Sequence, residues 1–229
     1  MQDKLTPRQS RAWGLCALSV PAAMVLAGRG WLWVLAGSAA ASGIVLFLQT
    51  LQRRSGQSLP EQMARAFDRH SGQIVGAAVC LWLLLAASGA AAASQIAFED
   101  DLGPLAPAVP LLLAALASRK GQAAAARVSG VLALCLALLY SIIALASLRH
   151  VQAAWCRPWG SAADAGLSLC LCLTPACLLF LDGDGQTPWP GWSALAAAVL
   201  PGVAALLCSA CLSPAWTAQL PQPLYTLTK

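Results

Sequence analysis

Residues 128–148 read VSGVLALCLALLYSIIALASL, a run of 21 residues without one charged side chain. About 20 apolar residues in an α-helix are enough to cross a hydrocarbon core of roughly 30 Å. The core of a bilayer has no water to hydrogen-bond the backbone, so a crossing segment must satisfy its own amides as a helix. Residues 128–148 are therefore predicted to span a membrane.

The rest of the chain repeats this pattern. Hydrophobic residues make up 59% of it and charged residues 10%, against about 25% charged residues in ordinary soluble domains. The sequence therefore predicts an all-α, polytopic transmembrane bundle of about seven spans, forming a single transmembrane domain over residues 1–229. The predicted spans are residues 12–28, 31–50, 73–98, 105–118, 128–148, 165–181 and 192–212.

The polar segment between spans 2 and 3 has the pattern of a short amphipathic helix over residues 58–70. Ser58 and Glu61 have the spacing of a capping box at its start. Three apolar residues then recur at every fourth position, opposite two arginines: Leu59, Met63 and Phe67 against Arg65 and Arg69. Such a helix is predicted to lie on the membrane surface.

The basic residues predict the orientation of the bundle. Ten of the 14 lysines and arginines fall in segments on the same side as the N-terminus: Lys4, Arg8, Arg11, Arg53, Arg54, Arg65, Arg69, Arg119, Lys120 and Arg127. The other side holds Arg29, Arg149, Arg157 and Lys229. Because cytoplasmic loops carry the excess of positive charge, the N-terminus is predicted to be cytoplasmic.

Other classes of function find little support in the sequence. The basic residues sit in loops between spans, so no nucleic-acid partner is predicted. Most of the nine cysteines lie inside apolar blocks. Packing in an apolar core is a simpler interpretation of them than redox or metal chemistry, even for the pair Cys208 and Cys211. The chain has two histidines and no catalytic or phosphate-binding motif. We expect no enzyme, no cofactor and no metal site.

Two proline-interrupted spans are the strongest indication of a binding site. Pro21 breaks span 1 and Pro175 breaks span 6, and each proline frees a backbone carbonyl in its helix. Transporters with inverted repeats bind substrates at such breaks, which lie near the midplane. Two broken spans five helices apart are what a five-plus-five repeat would produce. The alternative is that both prolines merely bend their helices.

Four segments resemble one family. They are LTPRQ (residues 5–9), SLPEQMARAFDRHSGQIVG (58–76), GQAAAARVSGVLAL (121–134) and AQLPQPLYTLTK (218–229). In this order they resemble the spore germination permeases, the membrane B-subunits of nutrient germinant receptors within the amino acid–polyamine–organocation transporter superfamily. The resemblance implies the first part of a five-plus-five transporter that stops before spans 8 to 10. It differs in span 1, where Ser19-Val20-Pro21 replaces the glycine-rich break of many relatives.

The resemblance implies a receptor subunit that senses an amino acid-like nutrient between spans 1, 3 and 6. Its partners would be the lipid bilayer and other receptor subunits, and its location the inner membrane of a spore. The implied ligand-binding residues act through backbone groups and hydroxyls; they are Ser19, Pro21, Ala22, Ser88, Thr174 and Pro175. An amino acid or polyamine transporter and a non-binding membrane scaffold are the alternatives.

Overall fold

The computed structural model of the protein describes residues 22–23, 25–55, 59–103, 108–119, 121–173, 191–220 and 223–227. Within these ranges the chain is helical and contains no strand, which confirms the all-α prediction. The helices are α1 (Trp31–Ser55), α2 (Leu59–Ala66), α3 (Arg69–Leu102), α4 (Ala108–Arg119), α5 (Gln122–Ser147), α6 (Ala162–Leu173), α7 (Gly191–Leu212), α8 (Pro214–Gln219) and α9 (Pro223–Thr226). Two short 3-10 turns, Leu148–His150 and Ala153–Cys156, connect α5 to α6.

Three of these helices are long and apolar enough to cross a membrane. The candidate spans are Trp31–Gln52 in α1, Arg69–Gly89 in α3 and Arg127–His150, which covers most of α5. They correspond to predicted spans 2, 3 and 5, and the last contains the uncharged run at residues 128–148. By length and composition, these three helices are compatible with an integral membrane protein.

The other predicted spans are only partly described. Helix α4 has 12 residues, about 18 Å of helix, which is shorter than the hydrocarbon core. Helix α6 is described only as far as Leu173. Helix α7 has 22 residues and contains Pro201. Most of span 1, residues 12–21 and 24, lies outside the described residues. The count of seven spans therefore stays a prediction.

The helix between spans 2 and 3 is shorter than the predicted range 58–70. Helix α2 ends at Ala66, and the amide of Phe67 donates to the carbonyl of Met63 in its last turn. The next helix begins at once, because the carbonyl of Asp68 accepts from the amides of Ser71 and Gly72. Residues 69–70 therefore belong to α3. Ser58, the predicted cap, lies outside the described residues.

Helix α1 packs against α6 and α7, and this packing forms the core. Glycine residues lie at the closest contacts of α1 with these two helices. A Cβ atom on Gly37 would lie 2.2 Å from the carbonyl oxygen of Ala165, and one on Gly202 would lie 3.0 Å from Cδ1 of Leu35. Small residues let helix backbones approach in membranes, where dispersion contacts drive association.

A buried hydroxyl connects α1 to α6. The Oγ of Ser168 donates to the carbonyl oxygen of Val34 over 2.8 Å, and the Oγ of Ser38 donates to the same carbonyl over 2.8 Å. Both serines are fully buried. Since an unsatisfied hydroxyl in an apolar interior is costly, this shared acceptor stabilises the α1–α6 contact.

Helices α3 and α5 expose large apolar side chains along most of their described length. Leu84 is 68% exposed, and Ile142 and Leu145 on α5 are 63% and 68% exposed. Contiguous apolar surfaces of this kind are rare on soluble monomers. If these side chains face the acyl chains of a bilayer, their exposure needs no protein partner.

Candidate functional site

The six predicted ligand-binding residues fall into two groups. Ala22 and Ser88 are described, whereas Ser19, Pro21, Thr174 and Pro175 lie outside the described residues. The structure describes residues on one side of each predicted break, beginning at Ala22 and ending at Leu173.

Those flanking residues belong to one buried cluster. Ala22, one residue after Pro21, is 1% exposed, and Cys172, two residues before Thr174, is also 1% exposed. Both lie in the same hydrophobic core cluster, together with Val34, Ala41 and Val45 of α1, Leu26, and Ala205 of α7. We call this set the break-flanking cluster. It includes one residue from the chain beside each predicted break.

The environments of Ala22 and Ser88 differ. The side chain of Ala22 is packed on all sides, so only its backbone could contact a ligand. Ser88 is exposed on α3, where its Oγ donates to the carbonyl oxygen of Leu85 over 2.8 Å. The structure therefore does not bring Ser88 into the break-flanking cluster.

A buried carboxylate lies where the first turn of α6 meets the residues before α1. Oδ1 of Asp164 is 3.6 Å from Nη1 of Arg29, and its side chain is 9% exposed whereas that of Arg29 is 53% exposed. Oδ2 of Asp164 accepts from the amide of Ser161 over 3.1 Å. A carboxylate in the first helical turn is also favoured by the helix dipole. We call this contact the Arg29–Asp164 pair.

Two glycines let the backbones meet beside this pair. A Cβ on Gly30 would lie 2.0 Å from the carbonyl oxygen of Trp159, and Gly160 adopts φ +93°. A Cβ on Gly30 would clash, and residues with a Cβ rarely adopt the φ of Gly160, so each position favours glycine for its own reason. The indole of Trp31 donates to the carbonyl of Cys156 over 3.2 Å. The Nε1 of Trp159 is buried and has no acceptor among the described residues.

Further contacts gather at the same end of the helices. The amide of Gln152 donates to the carbonyl of Ala210 over 3.0 Å, and the Sγ of Cys211 lies 3.5 Å from the carbonyl oxygen of Ser147. A Cβ on Gly28 would lie 3.0 Å from the carbonyl oxygen of Thr217. Every segment in these contacts is one that the basic residues assign to the side opposite the N-terminus.

Sequence reasoning did not find the Arg29–Asp164 pair. Asp164 precedes predicted span 6 by one residue, in the segment between predicted spans 5 and 6. The available signal was an acidic residue in a helical first turn, on the same predicted side as an isolated arginine. That signal predicts on which side of the membrane Asp164 lies, but it does not predict which basic residue on that side pairs with it.

The groove between α5 and α7 does not suit an amino acid. It has a volume of about 200 Å³, and its walls are apolar apart from the hydroxyls of Tyr140 and Ser141. Ser141 already donates to the carbonyl of Ala137 over 2.7 Å. A zwitterion there would lose its hydration and gain few polar partners, which is unfavourable.

Comparison with protein families, with curated proteins and with solved structures finds no match to this chain. Two features of the structure are relevant to the function of this chain. One is the break-flanking cluster, and the other is the Arg29–Asp164 pair, which joins the start of α6 to the start of α1.

Proposed function

We propose that this chain is a membrane subunit of a spore nutrient-germinant receptor and senses a small, amino acid-like nutrient at the breaks of spans 1 and 6. The resemblance of its four segments to spore germination permeases supports the receptor role. The observation that carries the site is the break-flanking cluster, in which Ala22 and Cys172 are packed together with α1 and α7. A site shared by two breaks requires that the chain beside each break lie in one region.

The chemistry of the breaks suits a zwitterion. A proline donates no backbone hydrogen bond, so each break leaves a carbonyl acceptor for an ammonium group. Amides at the start of the following half-helix favour a carboxylate through their aligned dipoles. Ser19 and Thr174 add one hydroxyl beside each break, and Ala22 contributes through its backbone.

Ligand binding tests the proposal directly. We expect one amino acid of a panel to raise the midpoint of thermal unfolding of the purified protein in nanodiscs. Replacing Ser19 with alanine or Thr174 with valine should each weaken that ligand about tenfold, because one hydrogen bond contributes roughly 1–1.5 kcal/mol. Binding is measured by calorimetry and by the shift of the unfolding midpoint.

Matched controls use hydroxyls that are already satisfied within their own helices. Thr50 donates to the carbonyl of Leu46 over 2.8 Å, and Ser141 donates to that of Ala137. Thr50→Val and Ser141→Ala should leave the affinity unchanged. An equal loss in these controls would contradict the site. Absence of any ligand effect would favour the scaffold, and uptake into proteoliposomes would favour the transporter.

The proposed orientation has its own test. Single cysteines at residues 54, 65 and 69 in a cysteine-free background should react with an impermeant maleimide only from the cytoplasmic side, because they lie among the excess of basic residues. Cysteines at 101, 152 and 158 should react only from the other side. Labelling of both sets from one face would rule out the proposed topology.

A further inference from the structure

Two exposed arginines lie where two membrane spans end on the same side. The candidate span of α1 ends at Gln52, two residues before Arg54, and the candidate span of α3 begins at Arg69. Both side chains are exposed, and neither has an ion-pair partner among the residues that the structure describes. Their positions at the ends of apolar helices put both guanidinium groups at the level of lipid headgroups.

Helix α2 holds this region in a fixed arrangement. It packs against α3, and the Nε2 of Gln62 donates to the Oγ of Ser55, the last residue of α1. Met63 is half-buried in this packing, while Phe67 at the end of the helix is 76% exposed. An exposed phenylalanine between two spans is favourable when it enters the boundary between headgroups and acyl chains.

The charge of this connection is positive. Residues 53–70 contain four arginines, Arg53, Arg54, Arg65 and Arg69, against the two acids Glu61 and Asp68. Within the helix, Glu61 and Arg65 lie opposite the apolar stripe, so they face water. Arg65 is exposed and also lacks an ion-pair partner within the described part of the chain. Because the charge of Arg65 faces water, it can attract an anionic surface over a distance of about one Debye length without contacting it.

We propose that Arg54, Arg69 and Phe67 form a docking surface for anionic phospholipids. The guanidinium groups bind the phosphodiester and Phe67 packs beside the upper acyl chain. Guanidinium groups bind phosphate oxygens through paired hydrogen bonds, and they tolerate partial dehydration better than ammonium groups. A zwitterionic lipid presents its own cation to the same arginines, so the surface selects net negative headgroups. This inference does not depend on the proposed receptor role.

The test is a lipid titration of the detergent-solubilised full chain at low ionic strength, followed by native mass spectrometry. Phosphatidylglycerol should bind more tightly than phosphatidylcholine. Arg54→Gln with Arg69→Gln should weaken phosphatidylglycerol about 25-fold, about fivefold for each arginine, and leave phosphatidylcholine unchanged. The matched control is Arg149→Gln with Arg157→Gln, two exposed arginines at the opposite end, which should keep the wild-type affinity.

Arg54→Lys with Arg69→Lys keeps both positive charges and should retain most of the preference for phosphatidylglycerol. It therefore controls for misfolding caused by substitution at these two positions. Inorganic phosphate at matched ionic strength should not displace the lipid, because it lacks the acyl chains that contact Phe67. Equal losses in both glutamine pairs, displacement by phosphate alone, or no preference in the wild type would each overturn the proposal.

Discussion

Replacing Gly37 with leucine should separate α1 from α6 and destabilise the protein by about 3 kcal/mol or more. Even the Cβ of an alanine would lie 2.2 Å from the carbonyl oxygen of Ala165, and a leucine adds three more carbons. Separating the helices would also break the hydrogen bond from Ser168 to Val34. We expect the midpoint of thermal unfolding to fall by roughly 5–10 °C, measured by size-exclusion chromatography after heating.

The same helix supplies the control. A Cβ on Gly43 would meet nothing within 4 Å, so Gly43→Leu adds the same side chain where there is space. It should leave the unfolding midpoint close to that of the wild type. If both variants lost the same stability, the close contact with α6 would not be the cause.

Replacing Asp164 with lysine should also destabilise the protein strongly. It removes the partner of Arg29 and the acceptor for the amide of Ser161, and it places a cation in a site where the native side chain is 9% exposed. Leaving a charge uncompensated in the interior costs roughly 3–5 kcal/mol. Because Arg29 is half-exposed and therefore screened by water, we expect the lower end, about 3 kcal/mol.

A charge reversal isolates the ion pair from the other contacts. Adding Arg29→Asp to Asp164→Lys restores opposite charges and should recover part of the lost stability, although the bond from Ser161 stays broken. Asp164→Asn keeps a side-chain oxygen as an acceptor for the amide and should lose much less than the lysine variant. A double variant no more stable than Asp164→Lys alone would show that charge pairing with Arg29 contributes nothing.

The spans of α1, α3 and α5 were predictable because length and hydropathy suffice for them. The uncharged run at residues 128–148 is long enough to cross the core whatever packs against it. Helix boundaries were less predictable. The amide of Arg69 donates to Oδ1 of Asp68 over 2.6 Å. This side-chain bond competes with a helix that the side-chain pattern would have continued, so the amphipathic segment ends there.

The pairing of α1 with α6 could not be read from the sequence. The segment around Gly37 is rich in small residues along its length, and Gly43 looks as suitable for a close contact as Gly37 does. Ser168 likewise resembles any other serine in an apolar helix. Which of them meets a partner depends on the rotation and register of two helices more than 100 residues apart, and periodicity does not contain that information. The Arg29–Asp164 pair was missed for the same reason.

The hydrogen bond from Ser168 to Val34 joins residues 134 positions apart in the chain. The two partners are therefore synthesised at different times. A ribosome adds about 5–20 residues per second, so α1 enters the bilayer on the order of ten seconds before α6 is made. Throughout that interval its stripe of small residues faces lipid or the insertion machinery. A helix that is stable alone in the bilayer tolerates the delay. Assembly of the core must then follow insertion, and truncated nascent chains that stop before residue 162 should leave α1 free to exchange neighbours.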